Sequence, residues 1–132
     1  MAVYDSMKVN VSINNTLVTG YADGTMVTSE RNEDRVIPYS GVKGEYAYSL
    51  NNNSSGTITV SLQQQSPMNA LLQKLANNKE TFPISVVDIN TGGFKAGGNE
   101  AIILKEPANE RGAEITTRAW SIYVFDYSCV DG

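Results

Sequence analysis

Residues 56–89 run Gly56-Thr-Ile-Thr-Val-Ser-Leu-Gln63, Gln64-Gln-Ser-Pro67, Met68-Asn-Ala-Leu-Leu-Gln-Lys-Leu-Ala-Asn-Asn78, and, after Lys79-Glu-Thr81, Phe82-Pro-Ile-Ser-Val-Val-Asp-Ile89. The first piece alternates at period two. Ile58, Val60 and Leu62 take one side of a strand, and Thr57, Thr59, Ser61 and Gln63 take the other. Ser66 then supplies an N-cap and Pro67 fits the first helical position. Met68, Leu71, Leu72, Leu75 and Ala76 follow at i, i+3, i+4, i+7 and i+8, which predicts one helix over about residues 67–78 with a single apolar face. Asn77-Asn78 ends it, and Phe82 to Ile89 reads as a second strand. Strand, capped helix, strand is therefore the pattern to which the rest of the chain must fit.

The flanking sequence is β-like. Lys8 to Ile13 places Val9, Val11 and Ile13 on one face, Asn14-Asn15 suits a tight hairpin turn, and Thr16 to Thr19 returns. Ala22-Asp-Gly24 reads as a turn and Thr25 to Ser29 as a short strand. Glu30 to Gly44 then crowds Glu30, Arg31, Glu33, Asp34 and Arg35 together, with Pro38, Gly41 and Gly44 after them. Such an excursion reads equally as a solvated loop or as an interaction arm. Glu45 to Leu50 alternates again, with Tyr46, Tyr48 and Leu50 on one face, and Asn51 to Ser55 is a polar turn. Thr91 to Gly98 reads as a glycine-rich connection, Glu100 to Lys105 as a strand, Pro107 to Gly112 as a turn, and Glu114 to Tyr127 as one long final strand. On that strand Trp120, Ile122 and Val124 face one way, while Ile115, Ala119, Tyr123, Phe125 and Tyr127 lie on or near the other side. Apolar residues on both faces call for cover on both, and a second subunit is one source of it.

The expected architecture is mainly β: one domain over residues 1–132, an antiparallel sandwich or partly rolled barrel of about eight strands with one flanking helix.

Composition excludes several function classes. With 132 residues and 41% hydrophobic content the chain can build a core. A net charge of −4 and a pI near 4.7 suit neither a grip on nucleic acid nor an anionic membrane. No apolar run reaches membrane-spanning length, and Met1 to Ser6 lacks the regions of a signal peptide, so synthesis in the cytoplasm without export is expected. Cys129 is the only cysteine and histidine is absent, which removes an internal disulfide and every histidine-based catalytic site. Gly92, Gly93, Gly97 and Gly98 match no phosphate-binding spacing. Asp5, Asp23, Asp34, Glu45, Asp88, Glu100, Glu114 and Asp126 show no pairing that acid–base chemistry would need. No enzyme, cofactor or metal site is expected.

Taken in order, Gly20-Tyr-Ala-Asp-Gly24, Gly41-Val-Lys-Gly-Glu45, Gly56-Thr-Ile-Thr-Val60, Gln65-Ser-Pro-Met-Asn-Ala-Leu-Leu72, Phe82 to Asp88 and Glu114 to Trp120 resemble a phage tail tube protein, of the type found in contractile-tailed phages and phage-tail-like particles. The resemblance spans nearly the whole chain. It implies hexameric rings stacked into a hollow tube in the virion tail, assembled in the host cytoplasm. It also implies sheath, baseplate and tape-measure partners, and DNA passing through the lumen without specific binding or membrane insertion. The contact arm it suggests holds Glu30, Arg31, Glu33, Asp34, Arg35, Tyr39 and Lys43. The candidate lumen face is the polar one of Thr57, Thr59, Ser61 and Gln63, and the other sheet faces are equal candidates. Two other readings stay open: another ring-forming tail or baseplate component, and a monomeric carbohydrate-binding sandwich with Tyr and Trp as its platform.

Overall fold

The computed structural model describes residues 5–22, 27–90, 93–109 and 111–131. Its strands are β1 (Val9–Ile13), β2 (Thr16–Leu17), β3 (Val27–Arg31), β4 (Val36–Ser40), β5 (Tyr46–Leu50), β6 (Gly56–Gln63), β7 (Phe82–Asp88), β8 (Phe94–Ile103), β9 (Thr117–Val124) and β10 (Ser128–Asp131), with one helix, α1 (Met68–Asn78), between β6 and β7. Asp23 and Gly24 of the expected turn, and Thr25 and Met26 at the start of the expected strand, lie outside the described residues.

The main sheet is antiparallel in the order β2-β1-β7-β8-β9-β6-β3, and β10 follows β9 along the edge of β8. Asn14 and Asn15 both take positive φ, 52° and 65°, which is the two-residue turn that joins β1 to β2. One segment then ties the two ends of the sheet together. The Val18 N–H donates to the Val11 carbonyl at 2.9 Å, on β1. Two and four residues further on, the Gly20 carbonyl accepts from the Gln63 N–H at 2.8 Å and the Ala22 N–H donates to the Ser61 carbonyl at 3.0 Å, Gln63 and Ser61 both being on β6. Gly20, at φ 75°, makes the corner, where a side chain would run into Ser66. The sheet thus rolls toward closure, which is the partly rolled antiparallel fold with one helix that the sequence led us to expect.

The core lies inside the roll. Val11, Ile13, Ile58, Val60, Leu62, Trp120, Ile122 and Val124 have no accessible surface. The helix covers it with Met68, Asn69, Leu72 and Leu75, leaving Leu71 and Ala76 half-buried. The buried stripe is therefore turned from the expected one toward Asn69. Its amide explains the turn: Nδ2 donates to the carbonyls of Gln63 and Gln64, both at 2.9 Å, and Oδ1 accepts from Trp120 Nε1 at 2.9 Å. A buried indole N–H needs an acceptor, and the helix supplies it. Ser66 Oγ accepts from the Met68 N–H at 3.3 Å, so Ser66 caps the helix with Pro67 between, and Lys79 ends it in the left-handed conformation at φ 54°.

Two elements differ from expectation. The glycine pair Gly97-Gly98 lies within β8, which starts at Phe94 and ends at Ile103. Gly97 sits at φ 146°, where a Cβ would collide with the Ile84 carbonyl of β7, so these glycines allow close backbone approach. The long final strand breaks after Val124. Asp126 turns aside to accept from the N–H groups of Asn99 and Glu100, both at 3.0 Å, and Tyr127 folds against Gly56, which has no side chain in its way. The chain then resumes as β10.

Candidate assembly surfaces

Residues 36–50 leave the roll. Among the described residues β4 and β5 pair only with each other, in the register Val36↔Leu50, Ile37↔Ser49, Pro38↔Tyr48, Tyr39↔Ala47 and Ser40↔Tyr46. One face of this hairpin carries Val36, Leu50, Pro38, Tyr48 and Tyr46, and the other carries Ile37 and Tyr39. All ten strand residues are exposed, with Tyr46 at 87% and Tyr48 at 69%. The tip turns through Gly41 to Glu45, where Gly44 takes φ 88° and Val42 is fully exposed.

The structure divides the candidate arm residues between two places. Glu30 and Arg31 belong to β3 in the main sheet, opposite Thr57 and Gly56. The Arg31 guanidinium lies over the Tyr127 ring, 5.8 Å from its centroid, so it serves the body of the domain. Glu33, Asp34 and Arg35 form the first leg of the hairpin, Tyr39 lies in β4, and Lys43 lies in the tip. The arm thus starts later than residue 30 and runs through the strand Glu45 to Leu50, which the sequence pattern alone places in the body. The signal for it was present: Val36-Ile37 and Tyr46-Ala-Tyr48 flank a Gly41-Val-Lys-Gly44 turn at hairpin spacing.

Thr57, Thr59, Ser61 and Gln63 share one half-buried face of β6. Their partners across the sheet continue it: Tyr123, Ser121, Ala119 and Thr117 on β9, and Glu30 and Thr28 on β3. This surface is made of short, mostly uncharged side chains, and Glu30 joins it instead of the arm. Tyr123 and Phe125 stack edge to face beside it with centroids 5.0 Å apart, and Phe125 is 48% exposed. The described residues do not supply the cover that the sequence called for on this side of β9.

Nothing on these surfaces is arranged for bond-making chemistry. Among the described residues no group of three Asp, Glu, Cys or His side chains could hold a metal. An open hollow of about 480 Å³ lies over Ser85, Gly97 and Ser128, with Lys95, Val130 and Asp126 at its sides. Its one carboxylate, Asp126, is exposed; slight desolvation raises its pKa, but the Asn99 and Glu100 N–H groups that it accepts from hold it below its ordinary value overall.

The geometry so far is that of a rolled sheet with a projecting, uncovered hairpin. The family model described as bacteriophage PhiTE tail tube protein matches residues 1–127. The chain belongs to this phage tail tube family. It is accordingly a structural component of the virion tail and not an enzyme. No curated protein sequence matches it.

Solved structures share the fold. The chain is similar to the tube-terminating cap of the anti-feeding prophage, at TM-score 0.66 and 14% identity, over 100% of this chain and 95% of that one. It is similar to the sheath/tube terminator of the extracellular contractile injection system PVC, at TM-score 0.69 and 14% identity, over 98% of each. A chain in the virion of a native gene transfer agent particle gives TM-score 0.62 at 10% identity, over 98% of this chain and 99% of that one. No described helix of the tail protein is long and apolar enough to cross a membrane.

Proposed function

We propose that copies of this chain close into hexameric rings, that the rings stack into the hollow tail tube, and that the phage genome passes through the lumen. The observation that carries this reading is the β4–β5 hairpin. A two-stranded ribbon is marginal alone in water, and this one exposes Val36, Ile37, Tyr39, Tyr46, Tyr48 and Leu50. Exposed apolar surface of that kind belongs in an interface. A second copy in the same or the next ring is the occupant, because a heterologous contact repeated by rotation closes a ring and repeated by translation makes a tube.

The face of Thr57, Thr59, Ser61 and Gln63 is the proposed lumen wall. Hydroxyls and amides do not hold phosphates as clustered Lys and Arg do, so DNA can slide past. Sheath, baseplate and tape-measure proteins are the expected partners outside, below and within the tube.

A second reading has its own support. Two of the similar structures are described as a tube terminator and a terminating cap, so a ring that ends the tube fits the same fold. Negative-stain electron microscopy over a concentration series separates the readings. Six-fold rings and tubes that lengthen with concentration support the tube. Single six-fold rings that never stack support the terminator. Monomer at every concentration, with and without the particle's baseplate, refutes both.

A further inference from the structure

The hairpin is uncovered, yet its two legs are tied down where they leave the roll. The Asn32 N–H donates to the Ser55 carbonyl at 3.1 Å, and the Asn51 N–H to the Arg35 carbonyl at 2.9 Å. Asn32 Nδ2 donates to Ser55 Oγ at 3.1 Å, and Thr57 Oγ1 donates to Asn32 Oδ1 at 2.6 Å. Glu33 stands between the legs. One carboxylate oxygen accepts from Asn51 Nδ2 at 3.3 Å and the other accepts from Asn53 Nδ2.

The same two asparagines also fix their own backbone. Asn51 Oδ1 accepts from the Asn53 N–H at 3.0 Å, and Asn53 Oδ1 accepts from the Ser55 N–H at 3.1 Å. Each is a side-chain turn that locks the chain two residues on. With the oxygen of each amide committed to its own strand, the nitrogen is left to reach the opposite leg, and there it meets a carboxylate. Two consecutive side-chain turns and one carboxylate that accepts from both amides form a neck at the base of the arm.

We propose that Glu33, Asn51 and Asn53 are positioning residues for assembly: they fix the direction of the hairpin before it meets another copy. This rests on the reading that the hairpin docks onto a second copy. Docking a mobile arm would cost the entropy of ordering it, and a neck that is already rigid removes that cost. Glu33 thus acts without touching the partner. A charge-assisted bond to an amide suits the task, being stronger than a neutral one at an exposed site.

The test starts on the monomer. In a Cys129→Ser background, nitroxide labels on Val42→Cys at the hairpin tip and Lys74→Cys on α1 give a distance distribution by double electron–electron resonance. A narrow distribution that broadens on adding Glu33→Ala and Asn53→Ala is expected; equal widths overturn the proposal. The second readout is assembly. The Glu33→Ala, Asn53→Ala protein is expected to need about ten-fold more protein to form rings or tubes, with unchanged thermal unfolding of the monomer. Assembly at the wild-type concentration overturns the proposal. Failure of the wild type to assemble sinks the docking reading alone, because the label distances still decide whether the neck is rigid.

Discussion

Replacing Asn69 by leucine removes a side chain that hydrogen-bonds α1 to both β6 and β9, and its cost can be worked from those bonds. Trp120 Nε1 loses its acceptor, and Trp120 has no accessible surface through which water could replace it. The Gln64 carbonyl loses the Asn69 amide. The Gln63 carbonyl keeps the Ser66 N–H at 3.0 Å and stays satisfied. Two orphaned groups at about 1–3 kcal/mol each come to about 4 kcal/mol. Leucine returns about 1 kcal/mol of apolar burial at a position that is already 8% exposed. The net loss is about 3 kcal/mol, a large share of the roughly 5–15 kcal/mol that holds a domain together, and about 10 °C in Tm for a chain of this length. Trp120 is the only tryptophan, so its fluorescence in a urea titration of dilute monomer reports unfolding directly. A loss under about 1 kcal/mol would refute the argument, since it would mean the indole N–H finds another partner.

Further predictions concern the sheet and the arm. Gly97→Ala puts a Cβ onto the Ile84 carbonyl at a φ only glycine takes easily, and should cost about 2–4 kcal/mol in the same titration. Asp126 contributes stability above the ordinary carboxyl pKa because its native value is lower, and that contribution is lost as pH falls through the native value. Asp126→Asn should therefore be less stable than wild type in urea at neutral pH, with the gap closing as pH falls through the native carboxyl's titration; a gap constant with pH removes the Asn99 and Glu100 hydrogen bonds as its cause. Tyr46→Ser and Tyr48→Ser should leave monomer unfolding within about 0.5 kcal/mol, since both rings are exposed, yet each should raise the protein concentration needed for assembly about 30-fold. Replacing Val36 to Leu50 by a Gly-Ser linker should abolish assembly while far-ultraviolet circular dichroism still shows the folded roll.

Much of the fold was legible because local signals agreed with global packing. The period-two pattern of β6, the Asn14-Asn15 turn and the Ser66 cap each act over a few residues, and each is found where the pattern places it. The misreadings all involve partners distant in sequence. Gly97-Gly98 looks like a turn until β7 is laid beside it, and the Glu114 to Tyr127 run looks continuous until Asp126 is drawn to β8. The predicted helix stripe leaves out Asn69, which is buried because Trp120 lies against it. Of the candidate site residues, the Thr57 to Gln63 face follows from alternation alone. The division of Glu30 and Arg31 from Glu33 to Lys43 depends on β3 pairing with β6, a choice that local charge does not encode.

The sequence by itself determined the strand and helix inventory around residues 56–89, the lack of any histidine-based chemistry and the likeness to tail tube proteins. These follow from periodicity, residue type and order, which are properties of the chain before it folds. Only the tertiary structure decided that Glu45 to Leu50 leaves the sheet to become half of a hairpin, and that Glu33, Asn51 and Asn53 form its neck. Tyr46, Tyr48 and Leu50 alternate equally well over a core or in solvent, because alternation records two faces and not what covers them. What covers a face depends on which strands pair, and pairing is settled by contacts between residues far apart in the chain.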